Sequence, residues 1–312
     1  MSIDLATERD SGTSARSAER AEAGARPKRR PALRRARPEQ RRSRLVAWLA
    51  ILVIGAFGVL PIYWLVITAL TPTEQAFKIE PSLFPSTITF EHFTKLAENE
   101  HLFRYLVNSV IVSVITAVLS VLVSAYMAYS FSKFRYRGRR SLMNLVLASQ
   151  MFPQALLLVT LYAVFSSMGL LNTYLALVLS FTTFTLPLCV WMLKGIFDTI
   201  PDALIEAAAI DGASRWRTLH QVVLPLATPG LIAAGLFAFV RGWNDFIFAL
   251  TLTGSDKQTL PPGLVHTYIG EFQTAWPELM AASFVVSIPV VAAFMVLQRY
   301  LVGGLAAGAV KG

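Results

Sequence analysis

The chain has 312 residues, of which 54% are hydrophobic and only 15% charged, with a mean hydropathy of +0.54. A soluble domain carries about a quarter charged residues, so this composition excludes an ordinary water-soluble globule. The net charge of +9 does not mark a basic domain, because thirteen of the 28 Lys and Arg precede Leu45 and leave a basic arm on an apolar body.

Residues 1–44 are rich in Ala, Arg, Ser and Glu and almost free of large apolar side chains. Such a segment cannot bury enough surface to offset its ordering entropy, and the expectation is a disordered arm. Its Arg cluster directly precedes an apolar run. That placement reads as a topology signal that touches anionic lipid, not as a nucleic-acid site.

The run at residues 45–70 is too long for the core of a signal peptide. At about 1.5 Å per residue it reaches roughly 39 Å, enough for a hydrocarbon core of about 30 Å. Further runs follow at 103–132, 142–166, 173–193, 227–252 and 279–301. Continuous apolar runs do not show the alternation of a barrel, so the expectation is an all-α integral membrane protein with six spans.

Loop charge sets the orientation. The loop at 71–102 is acidic, and 133–140 packs Lys133, Arg135, Arg137, Arg139 and Arg140 into eight positions. The loop at 167–172 is short and uncharged, 194–228 carries Lys194, Arg215 and Arg217, and 253–278 has Lys257 against three carboxylates. Basic residues alternate with loop parity, which places both termini in the cytoplasm.

The loop between the fourth and fifth spans is the most informative. Pro201 suits a first helical turn, and Ala207–Ala209 favour helix with little bulk. Gly212 is placed to end that helix in a left-handed conformation. A second short helix is expected to begin near Ser214 and stop before Pro225. The result is a helix–turn–helix on the cytoplasmic face.

This stretch resembles the EAA loop of binding-protein-dependent ABC importer permeases. Glu206-Ala207-Ala208 and Gly212 match the motif, and Val222-Val223-Leu224-Pro225 closes it. Leu219, His220 and Val222 are mild departures near its end. The resemblance implies that residues 199–229 dock on an ATP-binding partner. The dock would use Glu206, Ala207, Ala208, Asp211, Gly212, Ala213, Leu224 and Pro225. It also implies a type I importer fold over residues 45–301.

Several shorter stretches resemble the carbohydrate branch of that family, in particular the second permease of maltose-type systems. They are residues 129–138, Gln150-Met151-Phe152-Pro153, residues 168–173, Trp243-Asn244-Asp245-Phe246 and the ending from Gln298 to Gly312. The resemblance implies a bacterial inner-membrane location and a second permease subunit. It further implies an ATPase dimer holding ATP and Mg, and an external sugar-binding protein facing the loop at 253–278. Gln258 and Thr259 would be crosslinking positions toward that protein. The tail at 302–312 would reach the ATPases through Gly308, Val310 and Lys311, its glycines allowing an extended path.

Arg241 and Asp245 lie four apart in the fifth span, on one face of a continuous helix. A charge at mid-membrane costs roughly 2.5–3.5 kcal/mol on the insertion scale. One reading makes them a self-neutralising ion pair. The other makes them a polar patch on the sugar path, with Trp243 offering a stacking face and Asn244 an amide. Gln150 and Gln154 flank Pro153 and fit either a cavity lining or interhelical hydrogen bonding. Pro187 is expected to bend the fourth span.

Other functions find little support. His92, His101, His220 and His266 lack metal-site spacing. The lone Cys189 excludes an internal disulfide and reads as a packing residue. No H-E-x-x-H, G-x-S-x-G or G-x-x-x-x-G-K-[ST] occurs. A non-catalytic chain with no cofactor of its own is therefore expected. A secondary transporter or channel is the alternative, but no inverted repeat is evident.

Overall fold

The computed structural model describes residues 38–77, 83–270 and 274–309, with side chains from residue 46 to residue 300 within them. The chain divides into two units, Met1–Leu60 and Pro61–Gly312. Helix α1 (Pro38–Leu70) supplies everything described in the first unit and continues into the second. The arm is therefore helical from Pro38 onward, seven residues before the expected start of the apolar run. Residues 1–37 lie outside the described residues.

The second unit continues with α2 (Thr73–Ala76), α3 (Glu91–Ala97) and α4 (Glu100–Lys133). Helix α5 (Arg139–Ala148) passes through a 3-10 turn (Ser149–Met151) to α6 (Gln154–Ser167). Then come α7 (Tyr174–Thr199), α8 (Asp202–Ile210), α9 (Arg215–Thr218), a π-helical segment (Leu219–Val223) and α10 (Leu224–Leu226). The last four are α11 (Thr228–Trp243), α12 (Ile247–Leu252), α13 (Leu260–Tyr268) and α14 (Trp276–Ala309). Among the described residues there is no strand, only one bridge between Ile269 and Thr274.

Four helices are long and apolar enough to cross a membrane, and two sharply bent pairs raise the number to as many as six. The third expected span is one of these pairs, with a 97° bend between Arg139–Met151 and Gln154–Ser167. Pro153 explains the position of the break: without an N–H it cannot continue the ladder, and it forces Phe152 into an extended conformation. The fifth expected span is also discontinuous, because α11 ends at Trp243 and α12 begins at Ile247. By contrast, Pro187 sits inside an unbroken α7.

The core is built on α4 packed against α7, with α11 across both. The buried face of α4 carries Ser109, Ser113, Thr116, Ser120 and Ser124. Small side chains let helices approach closely in lipid, where dispersion and interhelical hydrogen bonds replace the hydrophobic drive. The Ser120 and Thr185 hydroxyls meet at 2.7 Å. Gly242 brings α11 so near α4 that a Cβ there would lie 3.3 Å from the Ser113 Cα. Cys189 is buried in this core, as a packing residue should be.

At one end of this bundle the loop after α12 is tied down. The Asn108 amide donates to the carbonyls of Asp256 at 3.1 Å and Gln258 at 2.8 Å, and its oxygen accepts from the Tyr174 hydroxyl. The Leu260 N–H donates to the Ser109 hydroxyl. Gln258 and Thr259 are consequently buried against α4, which corrects their assignment as positions open to an external protein. Gly254, Ser255 and Asp256 are the exposed positions of this turn.

Candidate functional site: the segment between α7 and α11

Residues 199–230 leave the bundle at the end opposite the Asn108 loop. Their first anchor is Lys133, the last residue of α4. Its ammonium donates to the Ile200 carbonyl at 2.6 Å and to the Asp202 carboxylate at 2.8 Å. That cation holds the exposed Asp202 carboxyl below the usual carboxylate range. Asp202 also sits in the first turn of α8, where a negative charge suits the helix dipole.

Helix α8 ends as the sequence foretells. Gly212 adopts φ +79°, and the Ala213 N–H bonds back to the Ala208 carbonyl while the Gly212 N–H bonds to Ala209. This is a Schellman cap, which satisfies carbonyls that the helix end leaves open. The chain then turns sharply, and the Ser214 hydroxyl caps α9 by accepting from the Arg217 N–H.

No residue of α8 is buried within this chain. Ala207, Asp211 and Gly212 are exposed, and Ala208 and Ala213 are half-buried. Glu206 borders a cleft with Lys133, Arg135, Asp202 and Arg215. Ile210 is 86% exposed at the very end of the helix, beside Gly212. An apolar side chain held out this far by a rigid cap, among Ala and Gly, makes a protruding knob.

The return arm roots the segment in the bundle. Leu219, Val223 and Ala227 pack in one cluster with Tyr129, Leu193 and Phe197. Trp216 stacks on Tyr126 of α4 at 5.2 Å, and His220 packs on both rings. His220 Nδ1 faces the Trp216 carbonyl at 2.9 Å and so donates, which leaves Nε2 to accept from the Tyr126 hydroxyl at 3.1 Å. The Arg215 guanidinium lies over the Phe134 ring. The segment is thus fastened to the end of α4 on both arms.

The return arm does not stop before Pro225. It continues through the π-helical turn at Leu219–Val223, and Pro225 lies inside α10. A π turn moves the ladder by one residue and so accommodates the missing N–H of Pro225. The chain then bends by 81° into α11.

The polar residues of the spans are placed separately. Gln150 is exposed and donates to the Phe184 carbonyl of α7 at 2.8 Å. Gln154 opens α6 and is exposed. Arg241 and Asn244 are exposed on one side of α11. Arg241 and Asp245 form no ion pair. The helix breaks between them, and the Asp245 carboxylate accepts from the Phe248 and Ala249 N–H groups at 3.0 and 3.2 Å. Asp245 precedes the N-cap residue Phe246, and its carboxylate serves the first-turn N–H groups of α12 as a capping side chain would. Trp243 is only 3% exposed and stacks on Phe239, so it presents no face for a sugar.

The terminal helix α14 extends to Ala309, so residues 302–309, Gly308 included, are helical instead of extended. Val310 and Lys311 lie outside the described residues.

This architecture has counterparts of known type. Residues 120–306 match the family described as the binding-protein-dependent transport system inner membrane component. The chain belongs to this family. It is 35% identical over 271 residues to the sulfoquinovosyl glycerol transport system permease protein SmoH of Agrobacterium fabrum, covering 86% of this chain and 93% of that one. It is 34% identical to the trehalose transport system permease protein SugB of Mycobacterium tuberculosis, covering 87% and 99%. Its fold is similar to that of a chain in a crystal structure of a bacterial ABC transporter involved in the import of the acidic polysaccharide alginate. That match has a TM-score of 0.73 at 21% identity and covers 84% and 98% of the two chains. The family member described above is thus a permease of the inner membrane, and it resembles the carbohydrate branch.

Proposed function

We propose that this permease works with a second permease subunit, an ATPase dimer and an external binding protein to import a saccharide. Relatives named for sugar transport support the substrate class. In this reading α5 and α6 together serve as one span, and with a fifth crossing after the 199–230 segment this gives six crossings with both termini cytoplasmic. The fifth crossing is α11 with α12, because Arg215 and Arg217 keep the preceding segment in water.

The observation that carries the reading is the Schellman-capped α8, which presents Ile210 from a support bolted to α4 and α7. The knob of Ile210, with Ala207 and Gly212 around it, would enter a groove of an ATP-binding partner. Closure of the ATPases would move α8. Lys133 and the Tyr126–Trp216–His220 stack would pass that motion to α4, the central helix of the bundle. Rearrangement of α4 against α7 and α11 would then switch access to a cavity shared with the second permease. This chain makes and breaks no bond in that cycle, and ATP with its Mg is bound by the partner.

Co-purification of the complex in mild detergent tests the reading. An ATP-binding subunit retained by the wild type and lost with Ile210→Asp supports it. An ATPase held equally by both, or none in either, supports a self-contained secondary transporter instead.

A further inference from the structure

We propose that Arg241 selects an anionic saccharide, one bearing a carboxylate or sulfonate, and contacts that charge during translocation. The proposal deepens the saccharide-importer reading above and rests on it.

Arg241 is the fourteenth residue of the sixteen in α11. At about 1.5 Å per residue its Cα lies roughly 20 Å along the helix, well inside a hydrocarbon core of about 30 Å. Its side chain is exposed within this chain. Among the described residues no carboxylate comes within ion-pair distance of its guanidinium, and no side-chain hydrogen bond of Arg241 is formed. Asp245, four residues on, lies beyond ion-pair distance with its carboxylate accepting from the Phe248 and Ala249 N–H groups, so it offsets the guanidinium charge only at longer range. An Arg at this depth faces a water-filled cavity or a partner, not lipid.

The surroundings are those of a polar ligand site. Asn244, three residues on, is exposed on the same side and offers an amide. The helix break removes the Asp245 and Phe246 N–H groups from the backbone ladder, since neither donates to a backbone carbonyl among the described residues. The Arg241 carbonyl thereby loses the donor that a continuing helix would supply. A guanidinium adds a planar fork that matches a carboxylate or sulfonate in bidentate fashion. A neutral sugar can accept hydrogen bonds from the guanidinium but leaves its charge uncompensated, whereas an anionic saccharide satisfies both the donors and the charge.

The test uses the full transporter with its binding protein in proteoliposomes. The probes are labelled digalacturonate and the neutral digalactose of the same linkage, compared in wild type, Arg241→Gln and Arg241→Lys. The expected result is ATP-dependent uptake of digalacturonate by the wild type, at least tenfold slower with Gln and intermediate with Lys. Wild-type uptake of digalactose alone, or of neither probe, overturns the proposal. So does loss of the second permease from the Gln complex but not from the Lys complex, which would assign Arg241 to subunit pairing. Failure of the importer reading shows separately, as absence of ATP hydrolysis by the purified wild-type complex.

Discussion

Replacing Gly212 with Ala isolates the cap of α8 from every other contact. A Cβ at this position would meet nothing within 4 Å, so no steric clash within the chain enters the cost. What remains is the left-handed backbone at φ +79°, which costs an L-residue about 1–2 kcal/mol. The substitution therefore lowers the population of the capped, knob-out conformation by roughly 5–30-fold. Apparent affinity for an ATPase partner falls by up to the same factor, because only the competent fraction binds. Asn tolerates this conformation better and should cost less than about threefold. Helix α8 has no fully buried residue and reaches the core only through the half-buried Ile205, so both variants should insert and melt close to the wild type. The assay is titration of the purified ATPase subunit onto permease complexes in nanodiscs. Equal affinities for wild type, Ala and Asn would refute the reasoning, as would a fall in membrane-domain stability that tracks the fall in affinity.

Other substitutions probe the remaining joints. Ile210→Ala should weaken ATPase binding at least tenfold, since burying such a side chain is worth about 1.5–3 kcal/mol, and the same titration reads it. Lys133→Met releases Ile200 and Asp202 and should lower transport more than ATP hydrolysis, measured together in proteoliposomes. The depressed Asp202 pKa fixes the sign of the pH effect. The Lys133–Asp202 link is fully present above the ordinary carboxylate pKa and is lost only as pH falls through the lower folded value. The difference between Lys133→Met and wild type should therefore stay flat between about pH 6 and 8. Gly263→Ala would drive a Cβ into the buried Tyr105 ring and should cost about 1–3 kcal/mol of thermal stability. A photo-crosslinker at Ser255 should reach the binding protein, whereas one at the buried Gln258 should label only this chain.

The sequence carried the apolar runs, the position of the α8 cap and the basic clusters, because each depends on local composition or a single residue's conformational preference. Gly212 is the clearest case: a Gly after an Ala-rich turn allows few other uses. The breaks were harder to see. Hydropathy treats Leu142 to Ser166 as one run, and Pro153 announces an interruption without its angle. Asn244-Asp245 lies inside an apolar stretch, where the helical spacing of Arg241 and Asp245 suggested an ion pair. Only the competing backbone N–H groups of Phe248 and Ala249 decide against it. The burial of Gln258 and Thr259 depends on Asn108 and Ser109, some 150 positions away, and no local pattern encodes such a contact. Pro225 misled for a similar reason, since a π turn rescues the helix that a proline would otherwise end.

The most direct test of the account places a photo-crosslinking residue at Ile210 in native membranes and identifies the adduct. An ATP-binding subunit captured there, and lost when Gly212→Glu is added, is the predicted result. An adduct with lipid or with this chain alone, or one that Gly212→Glu leaves unchanged, would contradict the assignment of α8 as the docking element.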